Sequence, residues 1–129
     1  MKSTAVGCIV LTTSVLLIGE IASWVVNVPS SPMFLEGQMR GGYTLKNTSG
    51  KSIVSFTLGC VAVKKHKITI ISKLPRQKFS IEPGGSVGEA IVDSPYTPPY
   101  EQCVVKQKAK LALISAEFVD GSAWSASGK

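Results

Sequence analysis

The amino-acid sequence predicts an all-β fold, an antiparallel sandwich of two sheets and about seven strands that follows an N-terminal signal helix. After residue 40, apolar and polar residues alternate or the apolar residues form short runs, which is typical of strands. Turn residues, chiefly Gly, Pro and Asn, separate these segments at short intervals. Two cysteines in the same region can form a disulfide that stabilises a domain of this size. A small closed barrel is the alternative that fits the same pattern.

The first 23 residues have the order of a secretory signal. One lysine precedes an uncharged run over residues 3–19, and small residues at Ala22 and Ser23 follow the acidic Glu20. The uncharged run is shorter than the roughly 20 residues that span a bilayer. We therefore expect residues 1–23 to be a cleaved signal peptide, with an uncleaved membrane anchor as the alternative.

The remaining chain divides into a short arm and one domain. Residues 24–40 include two prolines and show no clear period, so we expect a linker or mobile arm there. Residues 41–129 then form the β-sandwich domain. The combined length of these two parts is close to the roughly 100 residues of a single two-sheet domain.

Turn signals divide the domain into its strands. The residues from Asn47 to Gly50 are of types that strongly favour a turn, and Asp120-Gly121 is the clearest hairpin signal in the chain. In the second strand, Phe56, Leu58 and Cys60 fall on one face. We expect strands at residues 43–46, 53–63, 67–73, 78–81, 87–92, 104–119 and 122–125, with a proline-rich loop over 93–102.

Cys60 and Cys103 are the cysteines that remain after the signal peptide. In an oxidising compartment the simplest arrangement is one disulfide between them, and two buried thiols that never meet are the alternative. Export to such a compartment makes the protein secreted, periplasmic or attached to the cell surface.

Two resemblances follow from these residues. Cys60 on the second strand and Cys103 at the start of the sixth resemble the inter-sheet bridge of immunoglobulin domains, which implies an immunoglobulin-like sandwich. The tryptophan expected on the third strand is missing, because isoleucines stand there. The stretches 58–61 (LGCV) and 117–124 (EFVDGSAW) are similar to small uncharacterised exported bacterial proteins. That resemblance implies export and a β-rich domain, and no activity.

The chain is basic, with a formal net charge of +6. An anionic surface, an anionic polymer or an acidic protein is therefore a candidate partner, whereas the charge is too mild to indicate a specific nucleic acid. On a sixth strand, alternate lysines would form a ladder on one face; a second run lies in the loop after the second strand. A solubilising surface is the alternative interpretation. The ladder consists of Lys106, Lys108 and Lys110, and the second run of Lys64, Lys65 and Lys67.

The proline-rich loop carries Tyr96 and Tyr100. Tyrosine supplies contact area and proline limits the entropy lost on ordering, so the loop is a candidate recognition surface. A stiff connection between the sheets is the alternative.

The motifs of catalysis and metal binding have ordinary explanations here. Ser86 occupies the serine of a G-x-S-x-G pattern, but the pattern leads into a strand, and His66 precedes the serine instead of following it. His66 lies among lysines without further ligands at metal-site spacing. Asn47-Thr48-Ser49 is a formal glycosylation sequence in an expected exposed turn. We expect no catalytic residue, no metal, no cofactor and no enzymatic activity.

The function expected from these observations is that of an exported, non-catalytic binding or interaction module whose ligand the sequence does not identify. The alternative is a membrane-anchored structural or envelope-associated protein, which would contact the membrane through its uncleaved N-terminal segment.

Overall fold

A computed structural model describes residues 24–38, 41–65, 67–89 and 96–126. The predicted signal peptide, His66 and half of the expected 87–92 strand lie outside these ranges. The described residues form two separate sheets, which confirms the all-β class and the two-sheet arrangement.

Eight strands and one helical segment make up the described part of the chain. The helical segment begins as α1 (Pro98–Tyr100) and continues as the π-helical α2 (Glu101–Lys106). The strands are β1 (Val25–Val26), β2 (Met33–Gly37), β3 (Tyr43–Asn47), β4 (Ile53–Lys64), β5 (Lys67–Lys73), β6 (Ser86–Glu89), β7 (Lys110–Phe118) and β8 (Ala123–Ser125).

The larger sheet has the order β1-β7-β4-β5, and β8 also pairs with β7. Strands β4 and β7 are antiparallel neighbours, and their register places Lys110 opposite Val61 and Phe118 opposite Ile53. β1 pairs with β7 in parallel, so this sheet is mixed rather than purely antiparallel. The smaller sheet has the order β2-β3-β6 and is antiparallel throughout.

The main core lies between the two sheets. Phe56 and Leu58 of the larger sheet and Leu35 and Leu45 of the smaller sheet belong to the same buried cluster. The larger sheet is also apolar on its other face, where a second small cluster contains Val61, Ala112, Ile114 and Ala126. Both faces of β4 are therefore apolar, which is why its sequence reads as a nearly continuous apolar run towards its end.

The segment assigned to a linker needs correction. Residues 24–38 supply β1 and β2, and alternate residues of β2 are buried. The side chain of Asn27 makes two hydrogen bonds to the backbone of Leu35, at 2.7 and 2.9 Å, and so joins the two sheets along one side. The prolines Pro29 and Pro32 lie in the connection between the strands, where they conceal a period of two that extends over only five residues.

The expected sixth strand also needs correction at its beginning. Residues 98–106 are helical, and β7 starts only at Lys110. Pro98 and Pro99 suit the first helical turn, because proline has a fixed φ and lacks an N–H that this turn would leave unbonded. The expected strand at 78–81 is reduced to isolated bridges at Gln77 and Ile81.

The other strand predictions agree with the structure within a few residues. β5 has the expected bounds, and β3, β4 and β8 differ from expectation by one residue at an end. The described part of the fifth strand, β6, follows the expected turn at residues 82–85. Gly88 in β6 is required by packing, since a Cβ there would lie 2.2 Å from the carbonyl oxygen of Tyr43.

The predicted disulfide is confirmed. Cys60 and Cys103 are bonded, with Cα atoms 5.0 Å apart and both side chains fully buried. The bond joins β4 to α2, a helix, instead of joining two strands. It therefore fixes the helical segment against the larger sheet.

Asn47 is a fully buried polar residue, which corrects its expected position in an exposed turn. Its amide nitrogen donates hydrogen bonds to the carbonyl oxygens of Lys51 and Ile81, each at 2.8 Å. Its amide oxygen accepts hydrogen bonds from the backbone N–H and the hydroxyl of Ser49. The side chain is committed to the folding of this turn and does not present an accessible amide for glycosylation.

Reduction of the disulfide should lower the stability of the protein. Chain-entropy theory gives a bond that closes a loop of this length a contribution of about 4 kcal/mol to the free energy of unfolding. Denaturant unfolding with and without reductant measures the difference, and mass spectrometry checks that reduction adds two mass units. Equal unfolding midpoints for the reduced and oxidised protein would contradict this prediction.

Replacement of Asn47 by alanine should lower the free energy of unfolding by about 2 kcal/mol, because buried hydrogen-bonding groups lose their partner. Lys46→Ala, at the adjacent exposed position, is the matched control and should change it by no more than about 0.5 kcal/mol. Urea unfolding of both variants provides the measurement. A similar small effect in both would show that the buried amide is not needed.

Candidate functional site

A cleft of about 900 Å³ lies between the two sheets. Its walls are the edge strands β5 and β6, the inner parts of β3 and β4, the segment 74–79 and the start of the helical segment. Most of its lining is apolar and includes three aromatic and three proline rings. The apolar lining includes Tyr43, Phe56, Leu58, Leu74, Val87 and Pro99.

The sandwich is closed on one side and open on the other. At the closed side, Asn27 bonds to β2 and the indole N–H of Trp24 donates a hydrogen bond of 2.9 Å to the carbonyl oxygen of Gln38. At the opposite side, the edge strands β5 and β6 belong to different sheets and the cleft lies between them. The core therefore continues into an accessible space at that side.

Aromatic rings form part of the cleft wall. The rings of Phe56 and Phe79 are stacked, with centroids 6.4 Å apart and planes 24° apart. Phe56 is buried, whereas Phe79 is 51% exposed. An exposed phenylalanine beside an apolar cleft offers a flat surface on which an apolar ligand can pack.

The polar groups of the cleft are few and partly committed. The hydroxyl of Tyr43 donates a hydrogen bond to the carboxylate of Glu89. Burial raises the pKa of Tyr43, and the negative charge of Glu89 and this hydrogen bond raise it further. The hydroxyl of Ser72 donates to the side-chain oxygen of Gln107 at 3.1 Å. Lys73 supplies a positive charge at the end of β5. The raised pKa keeps the phenol protonated at neutral pH, and its single O–H is committed to Glu89 instead of being offered to a ligand.

The two tyrosines of the expected recognition loop have different surroundings. Tyr100 is half-buried and packs edge-on against Trp24, with ring centroids 4.9 Å apart. It also covers Gly41, whose positive φ of 96° favours glycine and where a Cβ would lie 2.8 Å from Tyr100. Tyr96 stacks on Tyr100 at 4.8 Å and is 38% exposed. Tyr100 thus has a packing role, and recognition by Tyr96 stays a prediction.

The expected lysine ladder is not present as a strand face. Lys106 is the last residue of α2, Lys108 has a positive φ of 53°, and only Lys110 belongs to β7. In the sequence the alternating lysines indicate a strand. Because the chain is helical as far as Lys106, the three lysines do not share one strand face. The structure does bring these lysines near Lys64 and Lys67 at one end of the larger sheet.

Ser86 lies exposed on β6, opposite Lys46 of β3. The turn before it leads into a strand, as the sequence indicated. Among the described residues, no group of three or more His, Cys, Asp or Glu side chains is placed to hold a metal ion. None of the described helices has both the length and the apolar character to cross a membrane.

The cleft is not apparent in the sequence. Its lining comes from segments that are distant in the sequence, and its aliphatic and aromatic residues read as ordinary core positions. The one local signal is the segment 74–79, which combines Leu74-Pro75 with an isolated phenylalanine and was assigned to a loop and a short strand. The comparisons with protein-family models, with curated proteins and with solved structures found no match to this chain.

The pKa of Tyr43 predicts a loss of stability at high pH. A raised pKa means that the folded protein holds the phenol proton more tightly than the unfolded chain, whose pKa is near 10.0. The free energy of unfolding should therefore fall as the pH rises above 10, and less steeply in Tyr43→Phe. Urea unfolding across the alkaline range measures this slope.

Glu89→Gln separates the causes of this alkaline effect. It removes the carboxylate charge but leaves the phenol buried, so part of the alkaline loss of stability should persist. Identical alkaline slopes in the wild type and Tyr43→Phe would contradict the assignment to Tyr43.

Proposed function

We propose that this protein is an exported, non-catalytic binding module that takes up an apolar small molecule in the cleft between its sheets. The observation that carries this proposal is the apolar cleft of about 900 Å³. Small-molecule sites are concave, mostly apolar and typically about 300–1,000 Å³ in volume, with a few polar groups that orient the ligand.

The lining favours a small apolar ligand over a charged one. Rings of phenylalanine, tyrosine and proline offer flat surfaces, and burial of apolar ligand area on them provides the driving force for binding. The carboxylate of Glu89 is engaged by Tyr43, and Lys73 is the cation in the lining. These few polar groups can orient a ligand that is otherwise apolar.

The disulfide supports both export and a preformed site. A buried Cys60–Cys103 bond is typical of proteins from oxidising compartments, which supports a secreted, periplasmic or cell-surface location. The same bond fixes the helical segment whose Pro98, Pro99 and Gln102 line the cleft. A fixed wall reduces the entropy lost when a ligand binds.

The immunoglobulin-like identity and the likeness to small exported bacterial proteins belong to this proposal as well. Two facing sheets and a disulfide from a central strand support an immunoglobulin-like arrangement. The helix that carries Cys103 is a departure from the immunoglobulin pattern, in which both cysteines lie on strands.

Titration with the uncharged fluorescent probe N-phenyl-1-naphthylamine tests the cleft. We expect the probe to bind, and Val87→Trp to weaken binding at least about tenfold, because the larger side chain fills space at a half-buried lining position. Val119→Trp is the matched control, since Val119 is 66% exposed and lies in the turn before β8. The control should bind as the wild type does.

A second lining variant keeps the cleft test decisive. Gln77→Trp, at an exposed lining position, should also weaken probe binding. It replaces Val87→Trp in the test if that variant does not fold. Thermal unfolding monitored by circular dichroism identifies folded variants. Probe binding that is unchanged in a folded lining variant, or absent in the wild type, would overturn the proposal.

A further inference from the structure

Two groups of lysines that are about forty residues apart in the sequence meet at one end of the larger sheet. Lys110 lies opposite Val61, and Lys64 follows three residues later on β4, a distance of about 10 Å. Lys67 is the cross-strand partner of Lys64. We call this region the basic end, and it consists of Lys64, Lys65, Lys67, Lys106, Lys108 and Lys110.

The disulfide holds Lys106 and Lys108 at the basic end. Cys60 precedes Val61 on β4 and is bonded to Cys103, only three residues before Lys106. The backbone N–H of Ala109 donates a hydrogen bond of 2.7 Å to the carbonyl oxygen of Cys103, which turns the chain from the helix into β7. Lys106 and Lys108 are therefore held close to the start of β7, and both are exposed.

Two acidic residues lie at the opposite end of the same two strands. Glu117 and Asp120 lie at the end of β7, where they pair with Arg76 and Lys51 at 2.5 and 3.0 Å. These ion pairs neutralise charge at that end. Lys64, Lys67 and Lys110 of the larger sheet therefore lie away from these carboxylates, which gives this sheet a basic pole.

Exposed valines accompany the lysines. Val63 on β4 is 42% exposed and directly precedes Lys64, and Val105 on α2 is 41% exposed and directly precedes Lys106. Cations next to apolar side chains at a protruding edge are the combination that binds the interface of an anionic bilayer. Lysines attract the headgroups there, and apolar side chains enter the boundary with the acyl chains.

We propose that the basic end binds the surface of anionic lipid membranes as a peripheral contact. Lysine suits this partner, because its compact charge pairs with phosphates without a fixed geometry. Single-stranded nucleic-acid sites add aromatic side chains on which bases stack, whereas the side chains described beside the lysines of the basic end are valines. The contact lies on the outer surface of the sheet end and does not depend on a ligand in the cleft.

Vesicle flotation of the full chain tests this inference. We expect stronger binding to vesicles of phosphatidylcholine with phosphatidylglycerol than to vesicles of phosphatidylcholine alone, and a loss of this difference at high salt. The difference between the two vesicle types isolates the contribution of charge, because a retained apolar N-terminal segment would bind both. Each lysine near the surface contributes a factor of about five to binding.

Charge-matched variants locate the contact. Lys64→Gln with Lys65→Gln and Lys67→Gln should weaken binding to the anionic vesicles at least about tenfold. The control triple variant removes the same charge elsewhere, from Lys46, Lys51 and Lys78, and should lose much less. The pair Lys106→Gln and Lys108→Gln, which leaves β7 unchanged, should also weaken the binding.

The valines distinguish a membrane from other polyanions. Val63→Ser with Val105→Ser should weaken vesicle binding but leave retention on heparin and on single-stranded DNA unchanged. Equal losses in the basic-end and control variants would overturn the proposal, as would vesicle binding that is insensitive to phosphatidylglycerol. Retention on heparin or DNA together with vesicle binding that does not respond to the valine variants would assign the basic end to a polyanionic polymer instead.

Discussion

The bond between Cys60 and Cys103 is the constraint on which both candidate sites depend. It fixes a short helical segment against β4, at a point in the chain where the sequence alone looks extended. One end of that segment supplies Pro98 and Pro99 to the cleft. The other end delivers Lys106 to the basic end. One covalent link therefore determines the shape of an apolar site and the position of a charged one.

The pairing of β4 with β7 provides the frame around this bond. Because β7 runs antiparallel to β4, its first residues lie beside the end of β4, and its last residues lie beside Ile53. The lysines of both strands are thereby collected at one end, and Glu117 and Asp120 at the other. Both faces of this strand pair are buried in apolar clusters, which explains why the sequences of the two strands are so hydrophobic. The charged residues lie at the ends of the strands, outside these clusters.

The two sheets are joined along one side, and this asymmetry produces the cleft. Asn27 uses its amide as a short substitute for strand pairing between the sheets, while the edges of β5 and β6 lie apart on the other side. Tyr100, packed against Trp24, ties the helical segment to the closed side. The cleft is thus a consequence of how the sandwich is closed, and core residues such as Tyr43, Phe56 and Leu58 line its inner part.

The sequence by itself determined the all-β class, the bounds of β5 and the pairing of Cys60 with Cys103, because alternation, turn residues and a count of cysteines are local or arithmetic signals. Tertiary structure decided the rest. The helix at 98–106 extends into the expected sixth strand as far as Lys106, since Pro98 and Pro99 open a helical turn there and the disulfide holds it in place. The strand β1 forms because β7, far along the chain, completes its hydrogen bonds, whereas β2 pairs with its neighbour β3. The cleft and the basic end combine residues from distant segments, and only the folded chain brings those residues together.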